Sequence, residues 1–224
     1  MKDYSVIVIN GYPEREEKYK SDERYIIHKA IHWEDVPIEK TQEYHFYYNC
    51  KVERRKKIVA CTESHKQVIQ KIIDQDLKDV IILEDDALLD FDKLHRLEEA
   101  DDFTYIGGDI NALKVKDFKT FDKEKARHSL ITGINKIDNE KYRIGWGCGY
   151  YIPNKDVAQR ILENMPHGKK HRIIDVEFFQ LQKKKIITDF LYPAIVTLHM
   201  GDALNGFNGA DYSSHYKHGE NNIY

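Results

Sequence analysis

The chain has 224 residues, of which 41% are hydrophobic and 12% aromatic, enough to build a core for one α/β domain. Charged residues make up 33%, but a formal net charge of −3 gives no bulk attraction to nucleic acid or to an anionic membrane. No stretch approaches the ~20 apolar residues of a membrane span, and the three cysteines, Cys50, Cys61 and Cys148, form no C-x-x-C motif. A soluble, cytoplasmic protein is expected, with no signal peptide, disulfide framework or structural zinc.

Tyr4 to Asn10 is apolar and β-branched and runs into Gly-Tyr-Pro, the pattern of a first strand entering a loop. Residues 11–24 are polar and lead into a surface helix. Tyr44 to Asn49 reads as a strand or an irregular aromatic segment, and Lys57 to Cys61 as a short strand. Ser64 with Gln67 has capping-box spacing, so a helix is predicted to start there and to bury Val68, Ile69, Ile72, Ile73 and Leu77. Val80 to Leu83 is the next strand, Leu88 to Leu97 a short helix and Phe103 to Gly107 another strand. Residues 110–145 are charged and weakly periodic. Gly145 to Pro153 is a glycine-rich turn entering a strand, and Asn154 caps a helix through Asn164. Ile173 to Gln182 reads as helix, Ile186 to Leu191 as strand and Ala194 to Leu198 as strand-like. The Gly/Asn-rich chain from about residue 201 is expected to be a flexible tail or a loop that orders over a ligand. Strands alternating with helices predict a mixed, mainly parallel sheet with helices on both faces, in one domain over residues 1–224.

The stretch VIILEDDALLD, residues 80–90, sets Glu84, Asp85 and Asp86 directly after a buried strand. In open α/β sheets ligands bind at the carboxyl ends of strands. If the chain stays extended, Glu84 and Asp86 share a face, and two converging carboxylates repel unless a cation lies between them. Hard divalent cations, Mg²⁺ or Mn²⁺, take oxygen ligands and bridge to substrate phosphates. An acidic cap on the following helix is the competing reading.

Several segments in order resemble glycosyltransferase family 25, the lipooligosaccharide and procollagen galactosyltransferase group, whose fold is GT-A (Rossmann-like). They are VIVIN, closing on Asn10; ACTESHKQVIQKII, with Cys61, Ser64 and His65; Leu83 to Asp86; GYYIPNKDVAQRILEN; and IIDVEFF. The resemblance spans roughly residues 4 to 200. Family members follow Ile-Asn with Leu and clustered arginines, whereas Arg15 stands alone here. The resemblance implies a metal-dependent inverting enzyme that moves a hexose from a nucleotide diphosphate sugar, UDP-linked, to a glycan or glycoprotein acceptor. It implies Mn²⁺ or Mg²⁺ on Glu84, Asp86 and His199, with His215 and His218 as rivals for the last place. Donor contacts would come from Asn10, Arg15, Ser64, His65, Glu84 and Asp85. His65 would contact donor phosphate or ribose, or order the acidic loop. Asp175 would be the base that deprotonates the acceptor, with Glu177 as the fallback. Trp146 to Gly149 would lie against the sugar, or form a tight turn over a buried Trp146. The basic run 51–57 would meet an anionic acceptor or the diphosphate, or be a solvated face. Two other readings of the acidic cluster are a nucleotidyltransferase or phosphohydrolase, and a non-catalytic carbohydrate- or nucleotide-binding module.

Overall fold

The structure, a computed structural model, describes residues 2–44, 51–113, 120–145, 148–165 and 173–198. The aromatic segment after Tyr44, Cys50, Trp146, Gly147, His199, His215, His218 and the tail from 201 lie outside the described residues. In chain order the elements are β1 (Ser5–Asn10), α1 (Pro13–Lys20), β2 (Tyr25–Lys29), α2 (Val52–Asp74), β3 (Val80–Glu84) and β4 (Ala87–Leu89). A 3-10 helix, Phe91–Leu97, then leads to β5 (Thr104–Tyr105), β6 (Asp109–Asn111), α3 (Lys123–Arg127), β7 (Gly133–Lys136) and β8 (Arg143–Gly145). The chain continues through β9 (Gly149–Ile152), α4 (Lys155–Asn164), α5 (Ile174–Lys183), β10 (Asp189–Tyr192) and β11 (Val196–Leu198).

Seven strands form the central sheet in the order β2-β1-β3-β9-β5-β10-β7. β9 and β7 run antiparallel to their neighbours, so the other five strands share one direction. This is the expected Rossmann-like α/β sheet of the GT-A class. Alternate strand residues feed two core layers. Ile7, Ile82 and Tyr150 pack with Ile69 of α2, Ile161 of α4 and Phe178 of α5. Val8, Leu83 and Tyr151 pack on the other face with Tyr19 of α1 and Leu97 of the 3-10 helix. Each fully buried aliphatic side chain here contributes about 1.5–3 kcal/mol relative to an exposed one. Among the described residues no helix is long and apolar enough to cross a membrane.

Two expectations about elements are overturned. Lys57 to Cys61 is not a strand: it lies inside α2, which begins at Val52 with no side-chain cap. Ser64 is therefore no N-cap. It sits mid-helix, fully buried, where its hydroxyl donates to Ala60 O (2.7 Å) and accepts from the Ile31 N–H (2.9 Å). Residues 88–97, expected as one helix, divide into β4 and the 3-10 turn. The cap at Asn154 is as expected: its side chain accepts from the backbone N–H groups of Asp156 and Val157.

Candidate active site

The parallel register pairs Ile9 of β1 with Glu84 of β3, which brings Asn10 beside the acidic triplet at the carboxyl edge of the sheet. The chain turns immediately after Glu84 and returns as β4, so the simple alternation expected of Glu84 and Asp86 does not persist. Each acidic residue meets different surroundings. Asp85 is buried and fastens the first loop: its Oδ2 accepts from the Gly11 N–H (2.7 Å) and its Oδ1 from Arg15 Nη1 (2.5 Å). The Arg15 guanidinium also lies 4.7 Å from the Tyr12 ring. The Tyr19 hydroxyl braces the turn from below, near the carbonyls of Asp85 (3.0 Å) and Ala87 (2.7 Å).

Glu84 is partly exposed, and its Oε1 accepts from His65 Nε2 (3.2 Å). His65 itself is buried, with Nδ1 2.8 Å from the Tyr150 hydroxyl. Asp86 carries a buried oxygen, Oδ1, with no hydrogen-bond partner among the described residues. Burial, then the charges of Glu84 and Asp85, push its carboxyl up to about 6. Asn10 Oδ1 is likewise buried and unpartnered.

Asp175, in the first turn of α5, reaches solvent but is walled in by protein. That poor solvation, with the charge of Glu84 second, raises its carboxyl to about 6, against the lowering effect of Arg143. Glu177, two residues on, is only 1% exposed and points into the protein, since i and i+2 lie on different faces of a helix. The structure thus gathers Glu84, Asp85, Asp86, His65 and Asp175 at one edge, with Asn10 and Arg15 alongside. It leaves Ser64 and Glu177 in the interior.

The field of these carboxylates extends to two thiols. Burial and then Glu84 hold the Cys148 thiol up, at about 12. Cys61, one turn before His65 on α2, is pushed well above the usual thiol range by the surrounding protein and then by Glu84. Ligand atoms of Cys61, His65 and Glu84 lie within 4.8 Å of one another. His65 already faces Glu84, and Cys61 brings a soft sulfur to a group with one nitrogen and one carboxylate ligand. The oxygen donors fit a hard divalent cation better. Among the described residues Asp86 Oδ1 has no donor, and a cation would offset both its burial and the repulsion from Glu84 and Asp85.

A cavity of about 300 Å³ opens further along the same sheet edge, walled by Tyr105, Gly107, Ile110, Arg127, Phe190 and Tyr192. None of the acidic residues lines it. Gly107 packs closely at its wall: a Cβ there would stand 3.0 Å from Cys148 Sγ.

Sequence reasoning missed Tyr150, Arg143 and Gly11. The signal for Tyr150 was present in GYYI, because strand alternation sends Tyr150 and Tyr151 to opposite faces. Placing Tyr150 beside His65 also required the antiparallel pairing of Ile82 with Tyr150.

A Rossmann-like sheet with an acidic cluster at the carboxyl end of an inner strand is the arrangement of GT-A glycosyltransferases. The model of glycosyltransferase family 25 (LPS biosynthesis protein) matches residues 14–179, and the chain belongs to that family. No curated protein matches the chain. Family membership favours glycosyl transfer over the nucleotidyltransferase and phosphohydrolase readings.

Proposed function

We propose that the protein is a cation-dependent, inverting hexosyltransferase that uses a nucleotide diphosphate sugar, UDP-linked, and a hydroxyl acceptor on a glycan or glycoprotein. The observation that carries this reading is a pair of differently placed carboxyls, each within the field of Glu84 at the end of β3. Asp86 has a buried oxygen without a partner among the described residues, and Asp175, on α5, is open to solvent with its carboxyl raised to about 6. A base is most effective when its pKa lies near the working pH, and Asp175 is ionised yet more basic than an ordinary aspartate at neutral pH. Its carboxylate takes the proton of the acceptor hydroxyl as that oxygen bonds to the anomeric carbon. The bond from that carbon to the diphosphate breaks on the opposite face, and its electron pair leaves with the nucleotide.

Glu84 and Asp86 would hold Mn²⁺ or Mg²⁺, and His199 is proposed as a further ligand, because Leu198 of β11 pairs with Ala87 next to Asp86. A divalent cation there supplies charge neutralisation for the departing diphosphate. Asp85 and Arg15 keep the first loop, with Asn10, in position along the donor edge.

Calorimetry with UDP and Mn²⁺ tests the assignment. Asp86→Asn should lose Mn²⁺-dependent UDP binding, and Asp175→Asn should retain it. Wild-type affinity in Asp86→Asn removes the cation role.

A further inference from the structure

Glu84 is held from behind by two buried side chains that no step of the proposed reaction uses. Tyr150, on β9, is 1% exposed and its ring is clamped, stacked on Phe103 (5.1 Å between centroids) and edge-on to Phe178 (5.1 Å). Its hydroxyl has a single hydrogen-bond partner among the described residues, His65 Nδ1 at 2.8 Å. His65 is 2% exposed and lies against the Tyr150 ring at 5.7 Å. Its other nitrogen, Nε2, faces Glu84 Oε1 at 3.2 Å.

Hydrogen-bond chemistry fixes the direction of this chain. An ionised carboxylate only accepts, so Nε2 carries a proton and donates it to Glu84. A buried hydroxyl without an acceptor is costly, so Tyr150 donates to Nδ1, which must then hold a lone pair. The order is Tyr150 O–H to His65 Nδ1, then His65 Nε2–H to Glu84 Oε1. Glu84 Oε2 makes no hydrogen bond among the described residues.

We infer that Tyr150 and His65 are positioning residues: they lock Glu84 through Oε1 and so commit Oε2 to the ligand at the strand end. A histidine that merely needed satisfying in the core would find a backbone carbonyl. This one spends its donor on the partly exposed carboxylate of the site. The inference rests on the proposed role of Glu84 in holding a divalent cation, and outer groups that orient a ligand commonly matter about 10–100-fold in metal affinity.

Two measurements on the full chain test it. In ¹⁵N-histidine-labelled protein the His65 proton should sit on Nε2, and a resonance with the proton on Nδ1 alone overturns the dyad. Free Mn²⁺ counted by electron paramagnetic resonance, with UDP present, gives the affinity. Tyr150→Phe should weaken Mn²⁺ binding by about 10–100-fold while the protein stays folded. His65→Leu should weaken it at least as much, and His65→Gln, whose amide can still donate to Glu84, should recover part of that loss. Wild-type affinity in both Tyr150→Phe and His65→Leu refutes the positioning role. Wild type that binds no Mn²⁺ refutes the cation reading and with it the commitment of Oε2, while the histidine resonance still decides the dyad.

Discussion

Asp175 and Glu177 stand two residues apart at the start of α5 and do different work. Asp175 opens toward Glu84 and solvent, while Glu177 is shut inside the protein. Asp175→Asn should therefore cut transfer by about 10²–10⁴-fold, the usual worth of a positioned base, and leave donor affinity unchanged. Single-turnover transfer from UDP-sugars measures this, and undiminished transfer would send the base role elsewhere. Arg15 and Asp85 form a pair that is mostly hidden, with side chains 20% and 9% exposed. Arg15→Ala strands a buried carboxylate and should lower unfolding free energy by about 2 kcal/mol in urea titration. The presence of an acidic site was legible in the triplet itself. The expected sharing of a face by Glu84 and Asp86 rested on a pleat that the turn after Glu84 ends, and the hold of Asp85 on Gly11 and Arg15 depends on the long-range pairing of β1 with β3.

At the scale of elements, α2 shows how a local signal loses to burial. Ser64 and Gln67 have capping-box spacing, and Lys57 to Cys61 is short and β-branched, so strand followed by helix is the locally reasonable reading. The buried face of α2 instead begins at Val59, runs through Thr62, Ser64 and His65 and ends at Ile72, and this unbroken burial lies within one 23-residue helix. Ser64 then bonds back to Ala60 O one turn earlier, as serines do within helices. Nothing local marks the true start, since Lys51 provides no side-chain cap. β2 was missed because its residues are mostly half-buried or exposed and show little alternation. Asn154, by contrast, is a cap that the sequence shows plainly, and its helix has a clear apolar stripe. Ser64→Ala should remove the acceptor of the partly buried Ile31 N–H and cost about 1–3 kcal/mol. Asn154→Ala should cost about 1 kcal/mol, the usual worth of a cap. Denaturant midpoints at constant slope measure both, and a smaller loss for Ser64 than for Asn154 would contradict its interior role.

For the molecule as a whole, gathering like charges at one sheet edge makes stability depend on pH in an unusual direction. Asp86 and Asp175 are both raised from about 3.8 to about 6. A carboxyl raised on folding binds its proton more tightly in the folded state. Its stabilising contribution is complete below about pH 3.8 and is lost as pH climbs through about 6. These two groups therefore penalise the folded, ligand-free protein at neutral pH. The lowered carboxyls, among them Asp22, Glu53 and Asp90, sit in exposed pairs that offset little. Asp86→Asn should thus match wild type near pH 4 and exceed it near pH 7. For this partly exposed group the gain should be about 1–2 kcal/mol. Thermal unfolding of both proteins across this range reads the difference, and a gap that does not widen with pH would show that Asp86 is not held near 6. Mn²⁺ with UDP adds an independent arm, because a ligand that binds only the folded state raises its stability. At pH 7 the pair should raise the midpoint of wild type and leave that of Asp86→Asn in place, so that the stability lost to the raised carboxyls returns when the cation and UDP bind.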